Sequence, residues 1–388
     1  MKIVCATNMP FVEEAFKNIG TPIVIEGREI SHKHVKDAEI LAIRSTTKVD
    51  ANLLENTAVK FVGTATIGTD HMDIPYLERK GIKWCYAPGC NANSVSEYFT
   101  AAILCLANRY NIKLEGKTLG IIGVGNVGKL VALKGKALGM NVLENDPPRE
   151  RIGDILPGER FVSINEILKQ SDIITFHVPL IKQGIDKTFH MADENFFKQL
   201  KPGCILINAA RGAVVSTPAL LQAIKKGIVS HCIIDTWENE PDYNIELMDR
   251  ADIVSPHIAG HSYEGKVMGT VMVFEQICRF LGIKSNWSVD PLLPAPVVPE
   301  VKVTINPSKT DEEQLWAIVR RVYDIEQDDK TFRATAKLPD NERLKSFDTL
   351  RTHYPIRREF RFTRLVLDNV KTSSLIEKAR QLGFQIVS

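Results

Sequence analysis

Gly120-Ile121-Ile122-Gly123-Val124-Gly125-Asn126-Val127-Gly128 is the stretch whose reading decides the fold. It is an apolar strand, begun at Thr118, that runs into a G-x-G-x-x-G turn with Gly123, Gly125 and Gly128 at the glycine positions. The first glycine permits a tight turn, the second lets backbone approach a pyrophosphate, and the third lets a helix pack closely on the strand. Helix-compatible residues follow from Val127 to Leu138. The N–H groups around Asn126 and Val127 would therefore meet phosphate at the positive end of a helix dipole. A second apolar run, Met140 to Leu143, leads to Asp146, 18 residues beyond Gly128. A carboxylate there accepts from both ribose hydroxyls and repels a 2′-phosphate, which reads as NAD. Arg149, three residues on, keeps NADP as the alternative. The glycine pattern alone is weak, but strand, turn, helix and acid together specify a nicotinamide dinucleotide site.

Outward from this turn, short apolar runs alternate with amphipathic segments, the pattern of βαβ units and parallel sheets. Upstream, Lys2–Cys5, Ile23–Ile25, Ile40–Arg44, Lys60–Gly63 and Lys83–Tyr86 read as strands of a first domain. Ser94 to Tyr110 reads as a long apolar helix opened by a Ser94-x-x-Glu97 capping box. Downstream, six strand signals between Leu119 and Ser255 complete a dinucleotide fold. The expected fold is α/β, with two doubly wound parallel-sheet domains and a small α+β C-terminal domain. A Rossmann-type cofactor domain (93–257) is inserted in a flavodoxin-like substrate domain (1–92 and 258–285), and residues 286–388 form the third part. The proline-rich run Asp290–Pro299 cannot sustain a helix or a central strand and reads as a linker.

In such sheets ligands bind beyond the carboxyl ends of the strands. Arg211 follows the fourth strand in Asn208-Ala-Ala-Arg-Gly212, Glu240 follows the fifth, and His257 follows the sixth in Ser255-Pro-His-Ile-Ala-Gly260. Singly, each is as readily structural. Together behind a dinucleotide turn they suit oxidation of a hydroxyl beside a carboxylate. Arg211 offers a planar fork for the carboxylate, His257 a base for the hydroxyl proton, and Glu240 an anchor for the other ring nitrogen. In the first domain, Arg44-Ser45-Thr46-Thr47 and Thr64-Ala65-Thr66 stand at strand ends, and Arg44 beside Ser45 is the first choice for a substrate phosphate.

The chain's 388 residues suffice for two or three domains, with 44% hydrophobic and 25% charged residues, ordinary values for a globular protein. A net charge of +2 gives no reason to expect nucleic acid or membrane partners. Seven scattered cysteines without a C-x-x-C pair fit reduced thiols in a cytoplasmic protein, with no metal site.

The Arg, Glu and His motifs resemble those of the D-isomer-specific 2-hydroxyacid dehydrogenases. Phe61–His71, Ala87–Ala92, Asp146–Arg149, Thr175–Leu180, His257–Gly260 and Tyr354–Phe360 are similar to one branch of that family, over essentially the whole chain. The resemblance implies an NAD-dependent enzyme acting on a phosphorylated small-molecule 2-hydroxy acid, and a homodimer held through the C-terminal domain. It assigns substrate binding to Ser45 and Thr66, cofactor binding to Asp146 and Thr175, and the nicotinamide end to Asp235 and Gly260. The branch commonly has Tyr after His-Ile-Ala-Gly, where this chain has His261 as the substrate contact. Arg357 and Arg358 are candidates to reach a partner's active site, with interface salt bridges as the equal alternative. Another D-2-hydroxyacid dehydrogenase, such as one acting on phosphoglycerate, and a non-catalytic NAD(H)-sensing protein are the competing functions.

Overall fold

The computed structural model describes residues 1–285, 287–368 and 373–387. The chain divides into two compact units, Met1–Ala92 with Ser262–Ala295, and Asn93–His261 with Pro296–Ser388.

The first unit is built on strands β1 (Lys2–Ala6), β2 (Thr21–Ile25), β3 (Ile40–Ile43), β4 (Phe61–Thr64) and β5 (Lys83–Cys85). They pair in parallel in the order β2-β1-β3-β4-β5, the flavodoxin-like arrangement. Side chains alternate between two cores: Val4, Leu41 and Val62 face one, and Ile3, Ile40 and Phe61 the other. The helix Tyr263–Leu281 closes the second core with Val273, Phe274 and Ile277. Gly63 makes this approach possible, because a Cβ there would lie 2.5 Å from Val273.

The second unit carries β6 (Thr118–Ile122), β7 (Asn141–Asn145), β8 (Ile173–Phe176), β9 (Cys204–Asn208), β10 (Val229–Ile234) and β11 (Ile253–Val254). All are parallel, in the order β11-β10-β9-β8-β6-β7. A lone parallel bridge from Glu144 of β7 to Phe161 stands where the outermost third strand of a dinucleotide fold would lie. The strand order reverses between β6 and β8, so the crevice for a ligand opens where the glycine-rich turn begins.

The C-terminal segment has its own parallel sheet, β12 (Glu300–Val303), β13 (Arg364–Leu367) and β14 (Gln385–Val387). It nevertheless shares a core with the cofactor sheet: Leu315, Trp316, Val319, Leu365 and Phe384 join Leu119, Ile121 and Ile207 around the helix Ala92–Tyr110. That shared burial is why one compact unit is found where the sequence marks two parts. The same helix corrects its expected start. Ser94 lies inside it, its hydroxyl donating to the Glu359 carboxylate at 3.3 Å, while Glu97 is buried, accepting the Phe360 N–H at 2.8 Å.

Candidate active site

At the end of β6 the three glycines do different work. Gly123 sits at φ +90°, where a Cβ would meet the His177 backbone at 2.8 Å. Gly128 opens onto the Gly123 carbonyl, 2.1 Å from a hypothetical Cβ, so the helix Asn126–Ala137 packs hard against the turn. Gly125 has nothing within 4 Å of a Cβ. This open, exposed backbone at a helix N-terminus is the cradle a pyrophosphate requires, and Gly125, Asn126 and Val127 fit that ligand.

Asp146 follows β7 and caps a short helix. Its carboxylate accepts the Val124 N–H at 2.8 Å and the Arg149 N–H at 3.1 Å, which ties the ribose-side acid to the phosphate turn. Arg149 is closed to a 2′-phosphate. Its guanidinium is buried and gripped by Glu159 at 2.7 and 3.2 Å, by Asp154 at 2.8 Å and by the Val124 carbonyl at 2.9 Å. The NADP alternative loses its carrier, because no fork remains to leave a bidentate carboxylate.

Three loops after β9, β10 and β11 are knitted together. Asn208 folds the first, its side chain accepting from the Ala210 N–H and donating to the Arg211 carbonyl. Arg211 lies half-buried, with Nη1 on the Ala210 carbonyl at 2.8 Å. Gly212 lets this loop lie on the next, since a Cβ would fall 1.9 Å from the Trp237 carbonyl group. The indole N–H of Trp237 reaches the Ser255 carbonyl at 2.9 Å, joining the second loop to the third.

Glu240 and His257 meet directly, with Glu240 Oε1 2.6 Å from His257 Nδ1. The other carboxylate oxygen accepts the Trp237 N–H at 3.2 Å. Burial alone would raise the Glu240 carboxyl, but the charge and hydrogen bond of His257 outweigh it, helped by Arg351, and hold it at about 2. The glutamate is thus ionised at neutral pH, and its bond fixes which imidazole nitrogen faces outward. His257 sits at φ +55°, a left-handed conformation that a histidine keeps only when its surroundings over-determine it.

Asp235 supplies part of that determination and does not reach outward as expected for the nicotinamide end. It is fully buried, accepting from Ser255 Oγ at 2.6 Å and from the N–H groups of Ile258 and Ala259 at 2.7 and 3.0 Å. Any effect of Asp235 on a cofactor passes through this loop and its end at Gly260. Thr175 is likewise fully buried, 3.0 Å from His177 Nε2, and burial pushes that imidazole down to about 3. His177, whose backbone lies beside Gly123, is a neighbour to which the sequence reading gave no role.

In the first unit, Arg44 and Ser45 follow β3 where the strand order reverses beside β1. Asn8, after β1, donates to Thr46 at 3.1 Å and holds the two loops together. Thr66 donates to the Gly68 carbonyl at 2.7 Å and joins Thr64, itself 2.9 Å from His71 Nε2. His71 was quoted in a motif without a role. Burial pushes it down to about 4, so a neutral ring ends this hydroxyl chain.

The C-terminal arginines correct the sequence expectation most. Arg357 is buried within its own chain, donating to the Ala259 carbonyl at 3.3 Å. Arg358 is buried too, its guanidinium 4.2 Å from the Phe362 ring centre. Both side chains are taken up within their own chain. His261 packs edge-on against Tyr354, centroids 5.9 Å apart. No local signal marked Arg351 and Arg357 as neighbours of the His257 loop, because their approach depends on packing between segments a hundred residues apart.

A dinucleotide fold whose crevice loops bring a glutamate onto a histidine beside an arginine loop defines a dehydrogenase of hydroxy acids. Known proteins agree. Residues 105–259 match the family profile described as D-isomer specific 2-hydroxyacid dehydrogenase, NAD binding domain, and residues 292–383 match a domain of unknown function (DUF3410). The D-lactate dehydrogenase of Aquifex aeolicus, solved with NAD and lactic acid, is 28% identical with a TM-score of 0.61, covering 72% of this chain and 95% of its own. The NAD-bound 3-phosphoglycerate dehydrogenase of Entamoeba histolytica is 25% identical with a TM-score of 0.62, covering 73% and 95%. The erythronate-4-phosphate dehydrogenases of Escherichia coli O157:H7 and Shigella flexneri are each 43% identical over 387 residues, 100% of this chain and 99% of theirs. The chain belongs to the D-isomer-specific 2-hydroxyacid dehydrogenases and, within them, to the erythronate-4-phosphate dehydrogenase family.

Proposed function

We propose that this chain oxidises 4-phospho-D-erythronate to (R)-3-hydroxy-2-oxo-4-phosphobutanoate, with NAD as cofactor, in pyridoxal 5′-phosphate biosynthesis. The observation that carries the reading is the 2.6 Å Glu240–His257 bond, on loops shared with Arg211, in a dinucleotide fold. Whole-chain similarity to erythronate-4-phosphate dehydrogenases supports the choice of substrate over phosphoglycerate.

Bound NAD supplies the hydride acceptor. Gly125, Asn126 and Val127, on the turn that Gly123 and Gly128 shape, would hold its phosphates, and Asp146 would hold its adenosine ribose. Arg211 grips the substrate carboxylate with two parallel N–H bonds, which fixes the neighbouring carbon. His257 Nε2 takes the hydroxyl proton as the carbon–hydrogen bond breaks, and Glu240 stabilises the imidazolium so formed. Arg44, Ser45 and Thr66 take the phosphate end, and His261 is a further substrate contact. A homodimer held through the C-terminal domain and a cytoplasmic location belong to the same proposal. Among the described residues no helix is long and apolar enough to cross a membrane.

The test is a panel of phosphorylated and plain 2-hydroxy acids with NAD and NADP, read by nicotinamide absorbance. Highest kcat/KM for 4-phosphoerythronate with NAD is expected. A preference for 3-phosphoglycerate, or tight NAD binding with no turnover, removes the assignment. Arg44→Gln should raise KM for the phosphorylated substrate far more than for an unphosphorylated analogue, whereas equal losses would take the phosphate from Arg44. Light scattering at working concentration reads the dimer.

A further inference from the structure

We infer that Arg357, from the C-terminal segment, is a positioning residue for the base: it clamps the loop of His257 at the Ala259 carbonyl, while Asp235 holds the neighbouring N–H groups. The inference rests on the reading of His257 as the base. The loop is held at three backbone groups within two residues of His257. Asp235 takes the N–H groups of Ile258 and Ala259, and Arg357 takes the Ala259 carbonyl at 3.3 Å. A carboxylate pulling on two donors and a guanidinium pulling on the acceptor leave the 258–259 segment little freedom. That constraint is what a histidine at φ +55° needs to stay in place.

The surroundings of Arg357 are arranged to keep a charge where a neutral side chain would pack more simply. The residue is 6% exposed. Its guanidinium lies 4.1 Å from the Tyr323 ring centre, and Nη1 lies 3.6 Å from Glu97 Oε2. Among the described residues, Nε and Nη1 find no hydrogen-bond partner, so the directed contact made by this buried cation is the one to Ala259. Burying a guanidinium is unfavourable unless charge and hydrogen bond are both answered. Here the guanidinium lies over the Tyr323 ring and beside Glu97, whose carboxyl burial and Glu359 push up to about 8, and its hydrogen bond goes to the catalytic loop.

The experiment compares Arg357→Met, Arg357→Lys and Glu97→Gln in the full chain, measuring kcat, both KM values and the thermal midpoint. Loss of the clamp should lower kcat about tenfold or more in Arg357→Met, since small misplacements of a reacting group are expensive. KM for NAD should stay within about twofold, because the phosphate turn is untouched. Arg357→Lys should fall between, its point charge donating to Ala259 without the planar guanidinium over the Tyr323 ring. Glu97→Gln keeps an acceptor for the Phe360 N–H and leaves the clamp in place, so it should keep kcat. A folded Arg357→Met or Arg357→Lys enzyme with wild-type kcat overturns the inference. So does a kcat loss in Glu97→Gln equal to that in Arg357→Met, which would mark a purely structural cluster. If Arg357→Met does not fold, Arg357→Lys decides. Wild-type enzyme without activity on the phosphorylated hydroxy acid would instead refute the functional proposal, so the two failures are distinct.

Discussion

Glu240→Gln separates geometry from charge at the proposed base. The amide oxygen can accept the same bond that Glu240 Oε1 makes with His257 Nδ1 at 2.6 Å, so the ring keeps its orientation and only the charge goes. Against the opposing effect of burial, His257 and, more weakly, Arg351 bring the carboxyl from 4.5 to about 2. That displacement corresponds to about 3 kcal/mol in favour of the carboxylate. The attraction to His257 is complete only when the imidazole carries a proton, the state reached as it takes the substrate's proton. The same interaction therefore stabilises the developing imidazolium, and losing it should lower kcat roughly 10²-fold. KM for NAD should hardly move. Steady-state rates with NAD and 4-phosphoerythronate, beside a melting curve to confirm folding, make the measurement. A folded variant with kcat within about threefold of wild type refutes the reasoning. Stability gives a second reading. The folded value lies below the unfolded one, so this carboxylate's contribution is present above about pH 4.5 and is lost as pH falls toward about 2. The Gln variant should lack that part of the acid slope.

Gly212→Ala should be severely destabilising, beyond the usual ~1 kcal/mol of a point change, because its Cβ would lie 1.9 Å from Trp237 backbone that cannot yield. A wild-type denaturation midpoint would show that the Arg211 and Trp237 loops are not packed as found. Glu159→Gln should free Arg149 from its bidentate hold and raise kcat/KM for NADP while leaving that for NAD nearly unchanged. An unaltered NADP/NAD ratio would mean that Asp146 alone excludes the 2′-phosphate. His257→Ala should reduce kcat by about 10²–10⁴ with cofactor affinity retained, as measured by NAD titration. Equal losses in both would argue for a structural histidine.

The amino-acid sequence by itself determined the parts that depend on neighbours in the chain. The turn Gly123–Gly128, the strands beside it and the acid at Asp146 follow from local periodicity and from φ/ψ values open mainly to glycine. Arg211, Glu240 and His257 were legible because parallel strands send their C-terminal loops to one edge, so position along the chain implies position in space. Tertiary structure decided what the buried charges do. Asp235 and Thr175 turn inward, Arg149 is closed by Glu159, and Arg357 stays with its own chain to hold Ala259. None of these has a local signature. The partner of a buried charge is chosen by which distant segment packs against it, and packing joins residues 97, 259 and 357 here, which no spacing rule connects.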